Sequence, residues 1–220
     1  TILAVGSDPT EITTHGGAVN PGSVLLGLDR TIFFPEGGGQ PCDLGMLADP
    51  ASGDCLAEIR SVFEEDGIVY HQAVLPDSVV FAEGRNVLCR IDWERRFAHM
   101  QRHCGEHILS AVFYDLYGGV NRGFHMGESY MTIDINLEER PEYTELTDEQ
   151  MLAAELAANR MVYENLPVSI RHFDHREDAE GLPMRKTLAI EEDITLVCVG
   201  EESKAAGCVA CCGTHPRMTG

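Results

Sequence analysis

Two short clusters carry the chemistry of this chain. One is His103-Cys104-Gly105-Glu106-His107; the other, about a hundred residues later, is Cys211-Cys212-Gly213-Thr214-His215. Imidazoles at i and i+4 lie one turn apart on the same face of an α-helix, so both rings of the first cluster can reach one ion. The second offers a thiolate and an imidazole four residues apart, on a glycine-containing stretch able to curl around that ion. His103, His107, Cys211 and His215 form a nitrogen/sulfur donor set that suits zinc. Cys208-Val209-Ala210-Cys211 is itself a CxxC, so Cys208 and Cys212 stand as alternative thiols.

The first cluster also reads as HxxEH, the inverted zinc-peptidase signature, in which the glutamate serves as general base. Such a peptidase takes a downstream glutamate as third ligand, here Glu177 or Glu180, and leaves Cys211 and His215 unexplained. A non-catalytic binding module for tRNA or protein, built around a structural zinc, also fits four protein ligands. Structural sites are closed, whereas catalytic ones keep a position for water or substrate.

Something must hold these side chains in place. From Trp93 to about Tyr117 the apolar residues Phe97, Met100, Ile108, Ala111, Val112 and Leu116 recur at helical spacing, and Gly118-Gly119 stops them. Thr147-Asp148-Glu149-Gln150 resembles a capping box and opens a second helix, to about Asn165. Residues 130–135, 167–173 and 194–199 read as strands. Before residue 90, short apolar runs at 23–28, 31–34, 57–63, 68–74 and 86–91 alternate with turn residues, as in a small barrel or sandwich. Gly37-Gly38-Gly39 marks a chain reversal or a loop where something needs the missing Cβ atoms. The expected class is α+β: a small β-barrel-like domain over residues 1–90, then an α+β domain over residues 91–220 with helices packed on an antiparallel sheet.

Composition narrows the options. The 220 residues are 44% hydrophobic, enough for a substantial core. No apolar run approaches the about 20 residues needed to span a bilayer, no leader pattern opens the chain, and neither a P-loop nor a GxGxxG fingerprint is present. No membrane and no nucleotide cofactor are therefore expected. A start without Met and an abrupt stop at Thr219-Gly220 suggest trimming at both ends, with C-terminal sequence missing. Eight cysteines, three of them between 208 and 212, suggest metal binding more than a disulfide framework. A reducing cytoplasm is the simplest compartment. The net charge of −20 is spread out, with 4 basic and 13 acidic residues before position 91 and 12 and 23 after it. Alone, that argues against tight nonspecific nucleic-acid binding, which relies on neutralising phosphates. Arg185-Lys186 is the most compact basic pair, either a solvated loop or a phosphate contact.

The HxxxH and CxxxH pair resembles the editing domain of alanyl- and threonyl-tRNA synthetases, and especially the freestanding alanyl-tRNA editing proteins of the AlaX family. Residues 28–45, LDRTIFFPEGGGQPCDLG, are similar to that family's glycine-rich signature. Asp92-Trp93-Glu94-Arg95-Arg96, Leu182-Pro183-Met184-Arg185-Lys186 and the Cys211–His215 cluster follow in the expected order. The resemblance covers nearly the whole chain. It implies Zn2+ on His103, His107, Cys211 and His215, with Cys211 rather than Cys208 or Cys212 as the thiolate. It also implies contact with tRNA or its aminoacylated end at Gly38, Gly39 and Gln40, with Arg185 as a further contact.

The implied activity is hydrolysis of mischarged tRNA, Ser-tRNA(Ala) first and Gly-tRNA(Ala) second. A synthetase pocket rejects an analogue with one added hydroxyl by only about a hundredfold, so a second site is needed. Zinc would activate water or orient the substrate's terminal group. Glu106 is the candidate catalytic residue, accepting the water's proton; the other roles open to it are a hydrogen bond to a ligand imidazole and contact with the substrate's ammonium. This chain departs from the family pattern at Cys104, where Thr is common, at Glu106, where Gln or another neutral residue is common, and at Cys212, where Gly is common. Against the overall acidity, Arg95, Arg96, Arg102, Arg122, Arg185 and Lys186 are expected to form a local positive patch beside the metal.

Overall fold

The computed structural model describes residues 1–6, 23–140, 142–179, 181–182, 184, 188, 190–201 and 207–220. Two compact units divide the chain, Thr1–Phe97 and Ala98–Gly220. The fold is mixed α+β, with antiparallel sheets and few helices.

In the first unit β1 (Ile2–Gly6), β2 (Val24–Leu28), β3 (Gly45–Ala48), β4 (Cys55–Glu65), β5 (Ile68–Val74) and β6 (Leu88–Ile91) make one antiparallel sheet in the order β1-β2-β5-β4-β3-β6. Among the described residues β1 and β6 are its two edges, so the expected barrel-like closure takes the form of an open sheet. The period-2 alternation is plainest in β4, where Ala57 and Ile59 are buried while Glu58 and Arg60 are exposed. These residues join Ile2, Leu26, Leu47, Val62 and Ala73 in one core.

The expected strand at 31–34 is instead a loop, because side chains take its backbone groups. Thr31 Oγ1 accepts from Phe33 N at 3.0 Å, Asp43 Oδ2 accepts from Phe34 N at 2.8 Å, and Arg96 donates to the Ile32 carbonyl at 2.8 Å. Buried His71 bridges Thr31 Oγ1 and the Leu26 carbonyl, at 2.8 and 3.1 Å. At the tip, Gly37 and Gln40 exchange backbone hydrogen bonds at 3.0 and 3.1 Å around Gly38 and Gly39, whose φ angles are 59° and 78°. Two successive positive φ values are what a two-residue reversal of this hand demands, and glycine adopts them without a Cβ penalty.

Helix α1 (Trp93–Tyr117) runs over the predicted range. Asp92 caps it, accepting from Arg95 N at 3.0 Å, and Gly118, at φ 64°, ends it. In the second unit β7 (Val120–Met126) pairs with β8 (Met131–Asn136). Helix α2 (Asp148–Tyr163) opens on the predicted capping box, with Thr147 and Gln150 bonded reciprocally. A three-stranded sheet follows, β9 (Val168–His175) and β11 (Cys208–Ala210) flanking β10 (Glu192–Val199), with the single-turn α3 (Arg176–Ala179) after β9. Ala154 and Ala158 of α2 share a core with Cys104, Ile108 and Val112 of α1 and with Ile133 and Ile135 of β8.

Asp43 is fully buried and takes a bidentate pair from Arg96. Removing one partner of such a pair strands a buried charge, at a cost of about 3–5 kcal/mol. Arg96→Met is therefore expected to destabilise the protein by about that amount in urea unfolding, while Arg60→Met, whose partner Glu58 is exposed, should cost about 1 kcal/mol or less. Equal small effects would contradict the buried-hub reading.

Candidate metal centre

Helix α1 delivers His103 and His107 to one face, both buried, with their rings stacked at 5.2 Å and 9°. The other two donors come from the chain after β11, whose edge is carried onto β10: the Cys211 amide donates to the Thr195 carbonyl at 3.0 Å. Cys211 Sγ then lies 3.4 Å from His103 Nε2 and 3.4 Å from His215 Nε2, and one donor atom from each of the four residues falls within 4.8 Å of the others. A tetrahedral zinc with bonds of about 2.3 Å to sulfur and about 2.05 Å to nitrogen sets neighbouring donors about 3.5 Å apart. The donor set and its spacing fit such an ion. Among the described residues buried His215 Nδ1 has no hydrogen-bond partner, and the Gly213 amide donates to Cys211 Sγ at 3.3 Å, as it would to a thiolate.

Burial sets the electrostatics. It pushes His103 down to about 4 and His215 down to about 3, the latter aided by His103, so both imidazoles are neutral at pH 7 and keep a lone pair for a metal. Burial also pushes the Cys211 thiol up to about 12, against the pull of the Gly213 amide. A metal must therefore displace the Cys211 proton on binding. Cys104 lies next to a ligand but is raised to about 11, chiefly by burial and then by the charge of Glu106, which makes it a packing thiol rather than a nucleophile.

Glu106 does not join the four donors. Its Oε1 accepts from Ser110 Oγ at 2.6 Å and from Asn121 Nδ2 at 2.5 Å, and its Oε2 sits 3.2 Å from His107 Nδ1, an ion-pair contact outside hydrogen-bond alignment. Phe124 of β7 packs against the His103 ring, with 5.3 Å between ring centres. Ser110, Asn121 and Phe124 were not singled out by the sequence. For Ser110 a signal existed, since it stands at i+4 from Glu106.

Cys208 is disulfide-bonded to Cys198, its cross-strand neighbour in the β10–β11 ladder with Cα atoms 4.1 Å apart. The crowding of cysteines at 208–212 thus combines a candidate metal donor with a staple, and the expectation that metal binding explains it better than disulfides is corrected for Cys208. Cys212 is exposed and free. Glu177, the peptidase's candidate ligand, is not in the cluster; Glu180 lies outside the described residues.

Gly38 and Gly39 are exposed at the tip of their turn, whereas Gln40 is fully buried. Arg185 and Lys186 lie outside the described residues. Arg95 and Arg96 are engaged with the Cys42 carbonyl and Asp43; Arg102 is half-buried and Arg122 exposed. An apolar groove of about 720 Å³ runs between α1, α2 and β8, but none of the four donors lines it, so it is not where a metal-dependent reaction would occur.

The class of protein follows from comparison. The family model of class II (A) tRNA synthetases matches residues 3–95. The alanyl-tRNA editing protein AlaX-M of Methanosarcina acetivorans is 32% identical over 200 residues, covering 88% of this chain and 78% of that protein. AlaX-L of Pyrococcus horikoshii is 35% identical over 193 residues, 87% of this chain and 44% of the relative. Alanyl-tRNA editing protein Aarsd1 of Rattus norvegicus is 31% identical over 224 residues, 98% and 48% respectively. The chain belongs to the alanyl-tRNA editing protein family. It spans about half the length of the last two relatives.

Neutral buried histidines make the metal-free protein acid-sensitive. Unfolded imidazoles bind protons near 6.5, but folded His103 and His215 resist them until about 4 and 3. The unfolded chain therefore holds more protons across that window. Stability is full above pH 6.5 and falls as pH drops toward 4. Chelator-treated protein should show a falling unfolding midpoint from pH 7 to 4.5, and the slope should shrink in His215→Asn. A flat profile would contradict the burial argument.

Proposed function

We propose that this chain is a metal-dependent trans-editing hydrolase that cleaves the ester joining a wrong amino acid to tRNA, with Ser-tRNA(Ala) as its principal substrate, Gly-tRNA(Ala) as a second, zinc as its metal, and the cytoplasm as its place of action. One observation carries the reading. In a chain of the alanyl-tRNA editing family, two motifs about a hundred residues apart bring two imidazoles, a thiol and a third imidazole within 4.8 Å.

Held by His103, His107, Cys211 and His215, zinc supplies Lewis acidity for ester hydrolysis. The chain's own residues do the rest. Burial keeps His103 and His215 uncharged and ready to bind. Phe124 shields one flank of His103 from water. In the first unit the exposed Gly38-Gly39 turn offers backbone amides without side chains in the way, which suits close approach to the sugar-phosphate backbone or the 3′ end of tRNA. Buried Gln40 then supports the turn from beneath rather than touching RNA. Arg185 serves as a phosphate contact.

The net charge of −20 limits how many phosphates this chain can neutralise. Weak, transient binding suits an enzyme that must release its substrate after one hydrolysis, and few phosphate contacts mean a shallow salt dependence.

The test is deacylation of Ser-tRNA(Ala) beside Ala-tRNA(Ala), with and without a zinc chelator. Serine release that spares alanine, stops on chelation and falls to the uncatalysed rate in Cys211→Ala is expected. Serine release that continues at full rate in the chelated protein would make the metal structural. No release from either tRNA by zinc-loaded protein would overturn the editing assignment for this chain and favour a binding module.

A further inference from the structure

We propose that Asn121, Ser110 and Glu106 form a positioning chain that holds the His107 ring in the one tautomer able to bind a metal through Nε2, and that Glu106 is a positioning residue rather than the base. The inference rests on His107 being a metal ligand.

The chain begins at a backbone amide. Strand β7 carries an irregularity in register between Asn121 and Gly123, the kind of bulge that re-aims a side chain. The room for it is made by glycine, since a Cβ on Gly123 would lie 2.7 Å from Asp134 Oδ2. The Gly123 amide donates to Asn121 Oδ1 at 2.9 Å. That bond settles which end of the Asn121 amide is oxygen, a question otherwise open for an asparagine. Its nitrogen must then face the other way, and it donates to Glu106 Oε1 at 2.5 Å and Ser110 Oγ at 2.8 Å. Ser110 spends its single hydrogen on the same Oε1, at 2.6 Å. No alternative assignment satisfies all four contacts.

Two donors therefore hold Glu106 Oε1, and its Oε2 is left 3.2 Å from His107 Nδ1. A carboxylate oxygen can only accept. The contact is not aligned as a hydrogen bond, but a negative oxygen 3.2 Å away favours the tautomer with its hydrogen on Nδ1, which puts the lone pair of the neutral imidazole on Nε2. Direction thus passes from the Gly123 amide, through Asn121 and Glu106, to the metal-facing nitrogen. Carboxylate partners of this kind fix ring orientation and raise ligand basicity. A general base needs an oxygen open to the attacking water, and here one is taken by two donors and the other lies against the His107 ring at 3.2 Å. The polar contacts also explain how Glu106 can be 7% exposed in an apolar setting.

Zinc affinity by chelator competition, with metal content and far-UV circular dichroism, tests this. In Glu106→Gln the new amide's oxygen is claimed by Asn121 and Ser110. Its NH2 then faces His107 Nδ1 and forces the hydrogen onto Nε2. Affinity is expected to fall about 10–100-fold, although the side chain is isosteric. Adding Asn121→Asp should restore it to within a few-fold. The carboxylate placed at position 121 still accepts from the Gly123 amide. It now also accepts from the NH2 of the amide at position 106, and so turns that amide's oxygen toward His107. Wild-type affinity in E106Q, or a folded E106Q/N121D variant with no recovery, would overturn the proposal. Long-range 1H–15N correlation on the zinc-loaded wild-type protein needs no variant: His107 is expected to show a protonated Nδ1 and a metal-bound Nε2, and the reverse assignment sinks the idea. Wild-type protein that binds no zinc would instead remove the metal centre itself, a separate failure.

Discussion

Four side chains that would each be better solvated alone are packed within 4.8 Å of one another, and much of the second unit serves to keep them there. The same burial that makes the arrangement costly makes it useful. Removing water disfavours the charged imidazolium, so His103 and His215 stay neutral and nucleophilic toward a metal. It also disfavours the thiolate, so Cys211 holds its proton until an ion compensates the charge. The site is thus stable only when filled or when its donors are neutral. The staple between Cys198 and Cys208 and the hydrogen bond from the Cys211 amide to the Thr195 carbonyl hold the short strand that presents half of it.

The long helix and the two histidines it brings to one face were legible because helical periodicity and the i, i+4 spacing are local. So was the capping box at Thr147. The four donors could be named from two motifs because metal chemistry restricts the residue types, and the family resemblance chose Cys211 among three thiols. What escaped was set by partners distant in sequence. Residues 31–34 look like a strand, but Asp43 and Arg96, up to 64 positions away, take the groups a ladder would need. Asn121 carries no signal in the sequence, and its place depends on a register shift in β7. The Cys198–Cys208 bond depends on the register of β10 against β11, which no composition reveals.

Gln40 differs from its glycine neighbours in burial. Its position in the glycine-rich signature suggests contact with RNA, yet it is fully buried while its two glycine neighbours are exposed. A motif records which residues a loop requires, not which of them meet the ligand. Here the glycines supply the conformation and the accessible backbone, while the glutamine is buried.

Each unit settles its key segment with a buried carboxylate used as a hub. Asp43 gathers the Phe34 amide and the Arg96 guanidinium and so shapes the loop that leads to the glycine turn. Glu106 gathers Ser110 and Asn121 beside a ligand ring. The physics is the same in both. A buried carboxylate is tolerated only when its oxygens are satisfied, and satisfying them demands donors at fixed directions. An acid inside the fold is therefore a constraint on several residues at once. This is how a chain with 36 acidic residues can use two of them for order while the rest set its charge. It also separates two meanings of acidity in a proposed tRNA-handling protein. The surface charge weakens the encounter with phosphate, and the buried charges build the parts that would act once the encounter occurs.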